Sequence, residues 1–160
     1  MKSVLISIQA EHNANIEKGF KTEELRTRVP KCELPIKFYT YESGKNGRHK
    51  ITNEWICRKI REYPNPDSYP LSLVDRACVP FSYICDYSKD GEKFLRGLVI
   101  SDLKIYDKPK ELSEFYVWKK CNSCRDTGYE STACMYDEDC KVPAVITRPP
   151  QSWCYVEDTE

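Results

Sequence analysis

Gly19-Phe20-Lys21-Thr22-Glu23-Glu24-Leu25-Arg26 is the stretch on which the fold turns. It follows Val4-Leu5-Ile6-Ser7-Ile8, a compact aliphatic and β-branched run that predicts a buried first strand. The residues between, Ala10 to Lys18, include Ala14 and Ile16 but no Pro or Gly, which predicts a short helix. Gly19 ends that helix, because glycine takes the left-handed conformation at a helix C-terminus without steric cost. Beyond it the chain is extended and strongly charged as far as Pro30. Side chains on an extended strand repeat every two residues, so Glu24 and Arg26 share a face, and Lys21 sits at the bend. Together they could present an ammonium, a carboxylate and a guanidinium to one polar ligand. The same charges also suit a solvated edge strand, where they discourage aggregation. On physics alone the edge strand is the simpler account.

Outward from this segment, Ile36-Lys37-Phe38-Tyr39-Thr40-Tyr41 alternates and is aromatic, as strands are. Ser43 to Arg48 is a turn, and its Gly44-x-x-Gly47 is too short a signal for a phosphate loop. Ile51 to Tyr63 fits either a helix face or a strand, and the strand is preferred for its β-branched and aromatic content. Pro64, Pro66 and Pro70 make the next stretch a loop. Leu71 to Tyr87 carries helical character that Pro80 must kink or divide. Leu98 to Tyr106 is the clearest later strand, with Asp107-Lys108-Pro109 expected to end it; Ser152 to Val156 is a last short strand. Several short strands with few helices predict an α+β chain built as a small mixed β-barrel, residues 1–160 forming one domain.

The chain has 160 residues and no net charge, with 25 Lys+Arg against 25 Asp+Glu, which argues against a protein held to nucleic acid by charge alone. The charge is uneven, however. Residues 1–62 hold 13 basic and 8 acidic side chains, so the N-terminal part is the better place for an anionic ligand, unless the two halves intermix in one body. No apolar run reaches the ~18 residues of a membrane span, and the N-terminal run is too short for a signal peptide. A cytoplasmic protein with reduced thiols is the expectation.

Nine cysteines cannot all pair within the chain. Four cluster as Cys121-x2-Cys124-x9-Cys134-x5-Cys140. A CxxC turn can direct two sulfurs to one point, and a second pair can close the tetrahedral shell of a structural zinc. The segment 119–141 has few apolar side chains and needs such a staple, which is worth an apparent ~10–16 kcal/mol in small modules. The alternatives are unligated thiols or a redox pair. Cys32, Cys57, Cys78, Cys85 and Cys154 are expected as small core side chains. His12 and His49 are expected at the surface, away from any nucleophile and acid.

The first strand, the helix and the G-x-K-x-x-E-x-R text of Gly19–Arg26 together resemble the opening of an ASCH domain, in the PUA-like superfamily of small β-barrels. Ile100 to Phe115, and Thr147-Arg148-Pro149-Pro150-Gln151-Ser152-Trp153-Cys154-Tyr155-Val156, resemble bacteriophage and prophage ASCH-like proteins, which often carry a cysteine-rich, zinc-knuckle-like insertion between these stretches. The resemblance covers most of the chain except residues 61–96.

The resemblance implies a module that binds single-stranded RNA or a modified nucleotide in the cytoplasm of a bacterial host. PUA-like folds commonly bind RNA, and related EVE and YTH domains hold modified bases in aromatic pockets. Lys21, Thr22, Glu24 and Arg26 would supply polar contacts. Tyr41, Trp153 and Tyr155, with Tyr39, are candidate stacking faces, each worth roughly 1–3 kcal/mol. An enzyme is the alternative, an amidohydrolase or ribonuclease with Lys21 and Glu24 as its catalytic pair. The ASCH subgroup that resembles N4-acetylcytidine amidohydrolases has a threonine nucleophile three residues after the lysine. Here that position is Glu24, a poor substitute for an activated hydroxyl. A third possibility is a phage protein that docks on a host protein through the acidic Asp137-Glu138-Asp139 beside Cys140.

Overall fold

A computed structural model describes residues 1–120 and 141–157. Among these residues, eight strands and three α-helices follow one another. They are β1 (Lys2–Gln9), α1 (Ala10–Glu17), β2 (Glu23–Arg26), β3 (Ile36–Ser43), β4 (Ile51–Tyr63), α2 (Ser72–Ala77), α3 (Phe81–Ser88), β5 (Leu95–Lys110), β6 (Tyr116–Lys120), β7 (Lys141–Val145) and β8 (Trp153–Val156). Six strands form one mixed sheet in the order β2-β5-β4-β3-β1-β8, and β6 and β7 pair as a separate hairpin. β1 runs parallel to β3 and antiparallel to β8.

β1 is buried on both faces, which explains why Val4, Leu5 and Ile6 are consecutive apolar residues rather than alternating ones. Val4, Ile6 and Ile8 join Ile16, Phe38, Trp55 and Leu98 in one core. Leu5 points the other way, to Tyr39, Tyr41, Ile51, Phe115 and Ile146. A third cluster seats α2 and α3 (Leu73, Ala77, Ile84) on Leu25, Tyr63 and Leu95.

The expected barrel is a half-barrel. Its backbone ladder ends at β2 on one side and β8 on the other, and a side chain spans the seam. Arg26 on β2 donates to the Ser7 carbonyl of β1 (2.7 Å) and to Ser152 Oγ beside β8 (3.3 Å). The ladder partners of β2 are residues 96–99 of β5.

Other expectations also change. Pro109 lies inside β5 rather than ending it. β2 covers β5 only at residues 96–99, so Pro109 needs no ladder partner on that open edge. Residues 61–96, which the resemblance leaves out, form the end of β4, both helices of the third core cluster and the start of β5. Pro80 does divide the helical stretch, standing as the N-cap of α3. Of the five scattered cysteines only Cys57 is fully buried; Cys32, Cys78, Cys85 and Cys154 are half-buried. Cys121, Cys124, Cys134 and Cys140 lie outside the described residues, as does the acidic run 137–139. Among the described residues no group of three or more metal-ligating side chains converges, and no helix is long and apolar enough to cross a membrane.

Candidate functional site

The charged turn folds as its glycine requires. Gly19 adopts φ +76°, and the backbone N–H groups of Phe20 and Lys21 return to the Asn15 carbonyl. This drops Lys21 under the end of α2. Its side chain is only 3% exposed, and Nζ donates to the Ala77 carbonyl at 2.7 Å. An ammonium at the last carbonyls of a helix is favoured by their unsatisfied lone pairs. Lys21 Nζ also stands 3.3 Å from Glu24 Oε2, and Arg26 Nη2 stands 3.0 Å from Glu24 Oε1. Glu24 and Arg26 thus share a face, as the two-residue strand period dictates, and the turn at Gly19 brings Lys21 to the same side.

This group borders a cavity of about 210 Å³ at the seam of the half-barrel. Ser7 and Gln9 of β1, His12 of α1, Gln151, and Tyr83 and Tyr87 of α3 line it. The two tyrosines are one helical turn apart, with ring planes within 13° of parallel and centroids 6.3 Å apart. Tyr83 is 46% exposed and tilts toward His12, with ring centroids 6.0 Å apart. The volume is below the ~300–1,000 Å³ of drug-sized sites, so it suits one planar ring system.

Burial alone would raise the Glu24 pKa, but Lys21 and Arg26 outweigh it and hold the carboxyl below its ordinary value. Glu24 is therefore a fixed anion at neutral pH, suited to accept hydrogen bonds from an amine. His12 is pushed below its ordinary value, first by burial and then by the Lys21 charge. Its imidazole is neutral at physiological pH. With two cations and one carboxylate, the site carries a net positive charge. Among the described residues Lys21 Nζ has two partners, and an ammonium has three hydrogens, so one remains for a ligand.

Of the residues expected in the site, Lys21, Glu24 and Arg26 come together here. Thr22 does not; it is exposed, and its backbone is tied to Arg76 and Ile100. Tyr41 and Tyr39 are core residues in contact with Phe115 and its neighbours. Trp153 and Tyr155 face an adjacent depression rather than the cavity. His12, Tyr83 and Tyr87 were missed. The i, i+4 tyrosines were legible as a pair on a helix face, but nothing in the sequence brings α3 against β2.

No protein-family model matches the chain, and no curated protein is similar to it in sequence. Solved structures are similar in fold. A crystal structure of ASCH from Zymomonas mobilis superposes with a TM-score of 0.67 at 17% identity, covering 98% of this chain and 88% of that one. A tyrosine-to-phenylalanine variant of the Zymomonas mobilis protein gives 0.64 at 17% identity, covering 98% and 91%. A serine-to-alanine variant gives 0.64 at 16%, covering 98% and 89%. At this identity the likeness concerns the fold, and the fold of this chain is that of the ASCH proteins.

Proposed function

We propose that the chain is a nucleic-acid-binding module whose pocket takes one base of a single-stranded RNA, or one modified nucleotide. The observation that carries this reading is the buried Lys21–Glu24–Arg26 group beneath a pocket walled by two tyrosines. A net positive floor favours an anionic ligand. Glu24 would accept from an exocyclic amine, and Tyr83 offers a ring face for stacking. Lys21 would donate its remaining hydrogen to a phosphate or carbonyl oxygen. Arg26 is mainly structural here, because its guanidinium already bridges β1, Glu24 and Ser152.

Equilibrium titration with mononucleotides and short RNA strands tests the reading. Binding with a shallow salt dependence is expected, since few phosphates are neutralised. No binding by any nucleotide or oligonucleotide, or a steep salt slope, would overturn it.

One observation favours an enzyme as a second reading. His12 is neutral and borders the same pocket as Lys21, so it could take a proton from a substrate. Glu24, held ionised by two cations, is a poor proton donor and a poor nucleophile. Incubation with N4-acylated cytidines and with labelled RNA separates the two readings, because a binder returns both intact. For Cys121, Cys124, Cys134 and Cys140 we retain structural zinc as the proposal. Metal analysis of protein purified without chelator should find about one zinc per chain.

A further inference from the structure

Trp153 and Tyr155 face a depression of about 460 Å³, roughly twice the pocket's volume, shared with Arg28, Lys31 and Arg96. Its lining holds three cations and no carboxylate. Arg96 pairs with Glu62 at 3.6 Å, a carboxylate that is itself largely exposed. The aromatic rings are held in place. The Trp153 indole N–H donates to the Arg28 carbonyl at 3.0 Å, and the two rings meet edge to face with centroids 5.5 Å apart. Tyr155 is nevertheless 41% exposed. Arg28 and Lys31 are exposed beside it.

This depression adjoins the pocket through one shared contact. Arg26 Nη1 reaches Ser152 Oγ (3.3 Å), and the next residues along each segment, Thr27 and Trp153, already line the depression. The pocket accommodates one ring system, so a strand that places a base there must continue over a neighbouring surface. The surface at this seam combines aromatic rings with three cations, the pairing that single-stranded nucleic acid needs for stacking and for its backbone.

We infer that the depression is a second subsite, holding the nucleotides that flank the one in the pocket. Trp153 and Tyr155 stack on bases, and Arg28, Lys31 and Arg96 meet phosphates. The ligand is a single strand, since bases inside a duplex have no free faces to offer these rings. This inference rests on the proposed function, and its test separates the two.

The full chain is titrated with nucleoside 5′-monophosphates, a mixed-sequence RNA hexamer, the same hexamer annealed to its complement, and polyglutamate as an acidic-polypeptide probe. The variants are Tyr155→Ala and Arg28→Ala/Lys31→Ala, chosen because these side chains are exposed; matching thermal melts establish that they fold. The hexamer should bind the wild type at least about tenfold more tightly than a mononucleotide. Each variant should weaken hexamer binding about tenfold and leave mononucleotide binding unchanged. The double variant should also lower the salt slope by roughly 0.7 per lost phosphate contact. A hexamer no tighter than a mononucleotide, or variants that bind it like the wild type, overturns the subsite and leaves the pocket reading standing. Hexamer binding that the variants weaken, without mononucleotide binding, supports the subsite and overturns the pocket. Equal binding of the duplex overturns the stacking role, and polyglutamate competing as well as RNA overturns the nucleic-acid subsite in favour of an acidic protein partner. No binding of any probe overturns both.

Discussion

Glu23 and Glu24 are neighbours on β2, both carboxylates, both buried and each paired with two cations. Yet they do different work. Glu23 has no exposed side-chain surface. It accepts from Arg61 (2.5 Å), Arg76 (2.8 Å) and the Tyr63 hydroxyl (2.6 Å). Gly97 closes over it; a Cβ there would stand 1.7 Å from Glu23 Oε1, so only glycine fits. This centre is complete, and it ties α2 to β2 and β4 through side chains alone. Glu24 points to the opposite face, where its two cations border a cavity. A cluster of charges thus marks a binding site only where solvent and a ligand can reach it. The closed cluster holds the wall that the open one needs, because α2 leads directly into α3 and its two tyrosines.

The contrast can be broken at several points. Glu23→Gln should have the largest effect, a loss of about 3 kcal/mol in denaturant unfolding, at the lower edge for a broken buried pair because Arg61 and Arg76 can turn toward water. Arg26→Ala comes next, at about 2 kcal/mol, since it removes charge-assisted hydrogen bonds that span the seam. Lys21→Met should weaken nucleotide binding about tenfold, a difference of about 1.4 kcal/mol, with a smaller effect on the unfolding midpoint. Equal losses of binding for Glu23→Gln and Lys21→Met, each compared in folded protein, would erase the distinction between the two centres.

The smallest expected effect is in pH dependence. The native His12 pKa lies below its unfolded value, so the unfolded chain binds the proton more readily. Stability should therefore fall as pH drops through about 6.5 toward the native value, and His12→Gln should flatten that limb. Glu24 acts lower on the scale. Its stabilisation is full above about pH 4.3 and is lost as pH falls through its depressed native value. Unfolding measured across a pH series for the wild type and both Glu24→Gln and His12→Gln separates the two limbs.

Much of this was legible in residue order. The first strand, the short helix and its glycine stop follow from local preference, and all three stand where expected. The shared face of Glu24 and Arg26 follows from the strand period. Tyr41 and Thr22 show the limit. An aromatic on an alternating strand can face a core or a ligand with the same pattern, and Tyr41 meets a core because the β6–β7 side of the molecule covers it. Thr22 lies beside the motif, yet its backbone is spent on α2 and β5. His12 was placed at the surface because no sequence signal carries it to within reach of Lys21.

The sequence by itself determined which residues carry charge, where the chain must turn at Gly19, and that Glu23 and Glu24 face opposite ways, because these depend on local geometry and a period of two. Only the tertiary structure decided which of the two carboxylates is sealed and which is open. That depends on Gly97, Tyr63 and Arg76 arriving from distant segments, and on a half-barrel whose ends meet at Arg26. Contacts between residues far apart in the chain set burial, and burial set the chemistry of each carboxylate.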